Sequence, residues 1–268
     1  MKDIFSWRLT PTKPYFSSLW DNALFIFDTS FLLDLYRVSN SSRDDFFKII
    51  EKISNRIWLP YQVANEFFNN REKVIDSEAA SYKKALTAVE RWAVEQAEFS
   101  ALKNQISQTG RIVSIELDDF FEKQKNFIDE VQKVAAILKE SIENISAAHV
   151  ATNNPQDHIL EKILSFFDSR VGEPYSEKKL KDIYKTCEER YKENIPPGYM
   201  DISEKDDERK YNDYIIWHQI IEHAISTKKP IIFITSEKKE DWWLKKGGKI
   251  ISPRPELRKE FKDLVNTD

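Results

Sequence analysis

The chain has 268 residues, 32% of them charged and 13% aromatic, which excludes an intrinsically disordered polymer and allows one α/β domain with a large insertion. Only 5 glycines, with neither a P-loop nor a GxGxxG run, exclude the usual glycine-cradled phosphate sites. A net charge of −4 excludes a global basic field, and the single cysteine, Cys187, excludes a disulfide framework or a thiolate zinc site. No apolar run reaches the length of a membrane span, and the N-terminal stretch lacks the apolar core of a signal peptide. The expectation is a soluble, cytoplasmic protein.

In chain order, ALFIFD (residues 23–28) predicts a buried strand, and Thr29 and Ser30 stand where a helix cap belongs. Ser41 or Ser42 is the expected cap of a second helix, with Phe46, Phe47, Ile49, Ile50 and Ile53 on its apolar face. RIWLP (56–60) reads as a second strand, and YQVANEFFNN starts another helix. Strand, helix, strand, helix is the pattern of a parallel sheet covered by helices. A helical zone follows, with breaks expected at Thr109-Gly110, at NNPQD (153–157) and at VGEPYS (171–176). Phe120, Phe121, Phe127, Ile128 and Val131 belong to its apolar spacing. α/β character then returns. Asn212 or Asp213 starts a helix, PIIFIT (230–235) is a strand, and residues 236–248 read as a loop or short helix. KIISP is a last strand, and Pro255 opens a closing helix. The expected divisions are 1–71, a helical insertion over 72–195, and 196–268.

Acidic residues stand at the ends of these strands. Asp28 ends the first, Glu66 lies in the helix after the second, Asp213 opens the helix before the third, and Glu237 and Asp241 follow it. In an open parallel sheet the carboxyl ends of the strands share one edge, so these acids are expected to converge there. Crowded carboxylates repel, and a hard divalent cation with oxygen ligands, Mg²⁺ or Mn²⁺, relieves that repulsion. Such a site suits hydrolysis of a phosphodiester. Each residue also has a plainer role open to it. Asp28 and Asp213 suit helix caps, Glu66 a solvated helix face, and Glu237 a solvated charge run with Lys238 and Lys239.

FIFDTSFLLDLYR and LPYQVANEFFNNR resemble the strand-to-helix segments of PIN-domain nucleases. PPGYMD, KYNDYIIWHQII, IIFITSEKKEDWW and ISPRPELRKEF, in that order, resemble one bacterial branch, the PIN-like family PIN_8. The resemblance implies a three-layer α/β/α fold with a central parallel sheet and a large all-helical insertion. It implies a metal-dependent nuclease using Mg²⁺ or Mn²⁺, with RNA the commonest substrate ahead of DNA, in a toxin or antiphage defence setting. Asp28, Glu66 and Asp213 become the metal-binding acids, with a fourth from Glu237 or Asp241. The chain departs from the family where an Asp is usual two residues after Thr235, since Glu237 stands there, and Asn212 replaces the usual Gly before the third acid. Asp201 is a further candidate, as ligand or as organiser of Lys205. Arg37, Arg71, Lys205, Lys238, Lys239 and Arg254 are candidates to neutralise phosphates, and Tyr199, Trp242 and Trp243 to stack bases, with core packing the plainer role of the two tryptophans. A homodimer and a separately encoded ATPase or defence-system protein are the implied partners.

Two other classes compete. A haloacid-dehalogenase-like phosphatase also starts from an Asp at a strand end, but needs a second Asp where Ser30 stands. A catalytically degenerate PIN-like module, binding a protein partner or RNA through its helical insertion, fits the departure at Ser236-Glu237. His149, His158, His218 and His223 offer no rival metal site, because His218 and His223 are five apart on one helix.

Overall fold

Three short apolar runs meet side by side in the computed structural model, which describes residues 1, 5–97, 124–149, 156–203 and 207–267. β1 (Leu24–Phe27) is central, and β2 (Ile57–Trp58) and β3 (Ile231–Ile234) flank it, both parallel to it. Phe25 pairs with Ile57 and Ile232, and Ile26 with Trp58 and Phe233. A strand covered on both faces needs apolar side chains at every position, and all four residues of β1 are buried. Because the strands are parallel, Asp28 and Thr235 leave the sheet at the same edge.

The helices in chain order are α1 (Lys13–Asn22), α2 (Thr29–Asp34), α3 (Asn40–Lys52), α4 (Tyr61–Ala97) and α5 (Lys125–Ala148). They continue with α6 (His158–Phe167), α7 (Glu177–Lys192), α8 (Asn212–Thr227) and α9 (Pro255–Val265). The face of the sheet bearing Ile26, Trp58 and Phe233 meets α8 and Trp242. His223 stacks on Trp58 at 3.9 Å between ring centroids, and Trp242 lies 5.2 Å from Phe233. The opposite face, with Phe25 and Phe27, meets Trp20 of α1 at 5.0 Å and Phe167 of α6 at 5.6 Å. Helices on both faces give three layers. No helix among the described residues is long and apolar enough to cross a membrane.

The described residues form two compact units, Met1–Glu72 with His158–Asp268, and Lys73–Asp157. The described part of the second is mostly helical and buries Val74, Val131, Ala135 and His149. The segment after residue 158, read from sequence with the insertion, packs in the sheet-bearing unit. Phe166 meets Phe47, and Val171 pairs with Leu59 beside β2 through Leu59 N–H to Arg170 O at 3.0 Å and Gly172 N–H to Leu59 O at 2.9 Å.

Three local expectations are corrected. α3 is capped by Ser39, whose hydroxyl accepts from the Ser42 amide at 3.3 Å, because the helix begins at Asn40 and Ser41 and Ser42 already lie in its first turn. Asp28, not Thr29 or Ser30, occupies the cap position of α2. Residues 236–248 are not helical: β4 (Trp243–Lys246) pairs antiparallel with β5 (Lys249–Pro253) across Gly247 and Gly248. Both glycines have positive φ, as a two-residue hairpin turn requires. The break expected at Thr109-Gly110, Phe120 and Phe121, and Asn153 to Pro155 of NNPQD lie outside the described residues.

α7, α8 and α9 are tied by one carboxylate. Arg190 grips Glu260 with two bonds, 2.6 Å and 2.8 Å, while Trp217 Nε1 donates to the same carboxylate at 3.0 Å. Glu260→Gln removes the charge facing a largely buried guanidinium. A loss of about 3 kcal/mol is expected, read as a lower urea midpoint with an unchanged slope.

Candidate active site

Asp28 is placed by β1. The strand ends with Asp28 in extended conformation, and its side chain makes no capping bond to α2. Its Oδ2 instead accepts from Ser30 Oγ at 2.5 Å and from Thr235 Oγ1 at 2.7 Å. Ser30 Oγ also accepts from the Ser236 amide at 3.0 Å, so hydroxyls lace the ends of β1 and β3 together around this carboxylate. Burial pushes the Asp28 carboxyl above its usual range, the two hydroxyls oppose this, and the charge of Glu237 adds to the rise.

Glu66 lies early in α4, beside the fully buried Val63 and Phe67, so it sits at the margin of a core-facing stripe. Thr29 Oγ1 donates to it at 3.3 Å and Gln62 Nε2 at 3.2 Å. Gln62 is itself fixed, its amide donating to Gln219 Oε1 of α8 at 3.0 Å.

Asp213 enters in the first turn of α8. Trp242 Nε1 donates to its Oδ2 at 3.1 Å. Burial raises the Asp213 carboxyl well above its usual range, and the charges of Asp201, Asp28 and Glu66 raise it further. One side chain thus feels acids delivered by β1, α4 and the turn before α8.

That turn is Tyr199–Ser203, and Asp201 in it has no exposed surface. Lys239 donates to Asp201. The sequence pairing with Lys205 cannot be placed, since Lys205 lies outside the described residues. Glu237 is half-buried and folds back on its own loop, Oε1 accepting from the amides of Lys238 at 2.6 Å and Lys239 at 2.9 Å. Asp241 is fully buried and faces the turn. Its Oδ2 accepts from the amides of Gly198 at 3.0 Å and Met200 at 3.4 Å, and burial raises its carboxyl.

A PIN-like domain family matches residues 24–257, most of the chain and every acid just described. The protein belongs to this family. Neither the curated proteins nor the solved structures hold a significant match. PIN-like domains are in general nucleases, and a nucleic acid is the ligand class that follows.

Among the described residues, no three acidic, histidine or cysteine side chains are gathered tightly enough to hold an ion as they are placed. The donor set nevertheless fits a divalent metal of the kind PIN-like nucleases use. Every member is a carboxylate, the hard-oxygen chemistry that Mg²⁺ and Mn²⁺ prefer, and Trp242 occupies only one oxygen of Asp213. The mutual repulsion acting on Asp213 is the kind that a cation removes.

The basic candidates are spread more widely. Arg37 pairs with Asp34 at 2.8 Å, Arg71 with Glu72, and Arg254 with Glu256 at 3.1 Å, whereas Lys238 is exposed. Tyr199 is half-buried, while Trp242 is a core residue against Phe233 and Trp217. Trp243 Nε1 donates to the Glu237 carbonyl at 2.6 Å. The histidines of α8 are engaged elsewhere, His218 with the Tyr175 hydroxyl at 2.9 Å and His223 on Trp58. Burial pushes the Cys187 thiol up to about 12, so it stays protonated and is no nucleophile. Ser30, Gln62 and the indole of Trp242 were not singled out from sequence as partners of the acids. The hydroxyl pairs Thr29-Ser30 and Thr235-Ser236, each at a strand end, were the available signal.

Proposed function

We propose that this PIN-like protein is a metal-dependent endoribonuclease that hydrolyses phosphodiester bonds in RNA, in a bacterial toxin or antiphage defence setting. The observation supporting this most is that Asp213 senses Asp201, Asp28 and Glu66 together at the carboxyl edge of the sheet. Asp28, Glu66 and Asp213 would hold Mg²⁺ or Mn²⁺. Glu237 is the fourth acid we assign, because its charge reaches Asp28 whereas Asp241 is bonded to the Gly198–Met200 turn. When bound, the ion supplies positive charge at the phosphoryl oxygens and a more acidic water.

The chain's own part is orientation. Ser30, in the first turn of α2, and Thr235, just after β3, both hold Oδ2 of Asp28. Thr29 and Gln62 steer Glu66, and the indole of Trp242 closes one side of Asp213 to water while leaving an oxygen for a ligand. Lys238 is exposed on the same loop and is our candidate for a phosphate contact. The second reading, a degenerate module that binds without cutting, draws on Lys239, a cation already among the acids.

The test is cleavage of a fluorescent single-stranded RNA and a matched DNA with Mn²⁺, Mg²⁺ or EDTA, beside the Asp28→Asn, Asp213→Asn double variant. Metal-dependent RNA cutting that the double variant loses supports the reading. Cutting of DNA alone moves the substrate class. Neither cutting nor Mn²⁺ binding by the wild type overturns the nuclease and leaves the binding module.

A further inference from the structure

We propose that the β4–β5 hairpin is a phosphate-binding arm: Lys246 and Lys249, beside its turn, hold the sugar–phosphate chain of a single-stranded nucleic acid where it flanks the cut. The inference rests on the nucleic-acid reading above and adds a contact surface to it.

Four observations carry it. First, residues 242–255 contain no acid, while Lys245, Lys246, Lys249 and Arg254 make the stretch cationic in a chain of net charge −4. Second, Arg254 is taken by Glu256 at 3.1 Å, but no carboxylate among the described residues pairs with Lys246 or Lys249. Third, the register sets Lys246 directly opposite Lys249 across Gly247 and Gly248, and both lysines are exposed. Like charges facing each other in a ladder weaken it, so folding does not account for this pair. A polyanion lying along the hairpin relieves the repulsion. Fourth, the base of the hairpin is fastened to the acid cluster. Trp242 Nε1 donates to Asp213 at 3.1 Å and Trp243 Nε1 to the Glu237 carbonyl at 2.6 Å. The Arg254 amide donates to the Trp242 carbonyl at 3.0 Å, which closes the two strands at that end.

The arm answers a difficulty of the site. A cluster of carboxylates repels the polyanion it is to act on, so attraction has to come from beside the cluster. At ~3.4 Å per residue, Lys246 stands up to about 14 Å along β4 from Trp242. That reach puts the contact on flanking nucleotides and leaves the scissile phosphate to the acids and their ion.

Binding is read by the fluorescence anisotropy of a labelled single-stranded RNA and a matched DNA in EDTA. The Asp28→Asn, Asp213→Asn variant serves as parent, so that nothing is cut. Adding Lys246→Gln and Lys249→Gln is expected to weaken binding about tenfold at ~0.1 M salt. The slope of log K against log salt is expected to fall by about 1.4, from two phosphates at ~0.7 each. Lys246→Arg with Lys249→Arg, which keeps the charge, is expected to keep both values. DNA should show the same loss, since the contact is to phosphate. The glutamine variant should unfold at the same or a slightly higher urea concentration, because the opposed charges are gone. An unchanged slope overturns the arm and leaves the hairpin, with its exposed Ile250 and Ile251, to an apolar protein partner. That result leaves the nuclease reading standing if the wild type cuts RNA with Mn²⁺. A slope that falls as expected, beside a wild type that cuts nothing, keeps the arm and overturns the nuclease. No binding of RNA or DNA by the parent overturns the arm outright.

Discussion

Asp213→Asn is expected to stabilise the protein while lowering metal-dependent cleavage about a thousandfold. The asparagine carbonyl can still accept from Trp242 Nε1, so the 3.1 Å bond to the indole survives the change. What disappears is an acid that burial and the charges of Asp201, Asp28 and Glu66 all penalise when ionised. Removing it should add about 1–2 kcal/mol, or a rise of several degrees in melting temperature for a chain of this size. The pH dependence fixes the cause. Because the folded carboxyl is raised above its ordinary 3.8, the folded state binds the extra proton, and wild-type stability falls as pH rises. Below 3.8 both states are protonated and the gap between wild type and variant is absent. The gap opens above 3.8 and is complete once pH passes the raised folded value. Mn²⁺ should close it from the other side by stabilising the wild type, with little effect on Asp213→Asn. Thermal melts from pH 3 to 8, with and without Mn²⁺, check every part. A variant less stable than wild type at pH 8 would mean that the cluster is not under electrostatic strain.

Asp241→Ala is expected to have the opposite effect, a loss of about 3 kcal/mol. Its carboxylate holds the amides of Gly198 and Met200, and the turn they belong to carries Asp201. Gly198 has φ +89°, and a Cβ there would meet the Tyr191 hydroxyl and lie 3.0 Å from Cβ of Asp213. The turn is therefore pressed against the acid cluster and held by a residue from the loop after β3. Without Asp241, the buried amide of Gly198 and the part-buried amide of Met200 lose this acceptor and the backbone next to Asp213 loosens. Asp241→Asn keeps one acceptor oxygen and should fall between wild type and Asp241→Ala. Mn²⁺ affinity separates this role from metal ligation. Folded Asp241→Asn should bind Mn²⁺ within about threefold of wild type, whereas a true ligand would lose far more. Urea unfolding and Mn²⁺ titration of the same preparations give both numbers.

The strands around the site were legible because a strand covered on both faces needs an unbroken apolar run, and LFIF and IIFI are such runs. Asp28 and Asp213 stood out as acids at the ends of buried elements, although a helix-cap role was open to each as well. β5 was legible as KIISP, but its partner β4 was hidden by the lysines and acids around it, although the Gly247-Gly248 pair is a hairpin turn. The side-chain partners were the least legible part. That Ser30 and Thr235 meet on one carboxylate, or that Lys239 reaches Asp201, depends on the order β2-β1-β3 and on a loop path, neither of which spacing along the chain encodes. For Asp241 nothing along the chain pointed to the amides of Gly198 and Met200 that it faces.

The strand order also has a consequence for biosynthesis. β1 is the middle strand, and β3, just before the Thr235 that bonds the Asp28 carboxylate, is encoded after the helical segment. A ribosome delivers Asp28 and Glu66 early and Asp213 and Glu237 late, with the whole helical segment between them. The acid cluster is therefore incomplete on any nascent chain that stops before β3. The acids of the sheet edge can come together only after β3 has left the ribosome and docked beside β1.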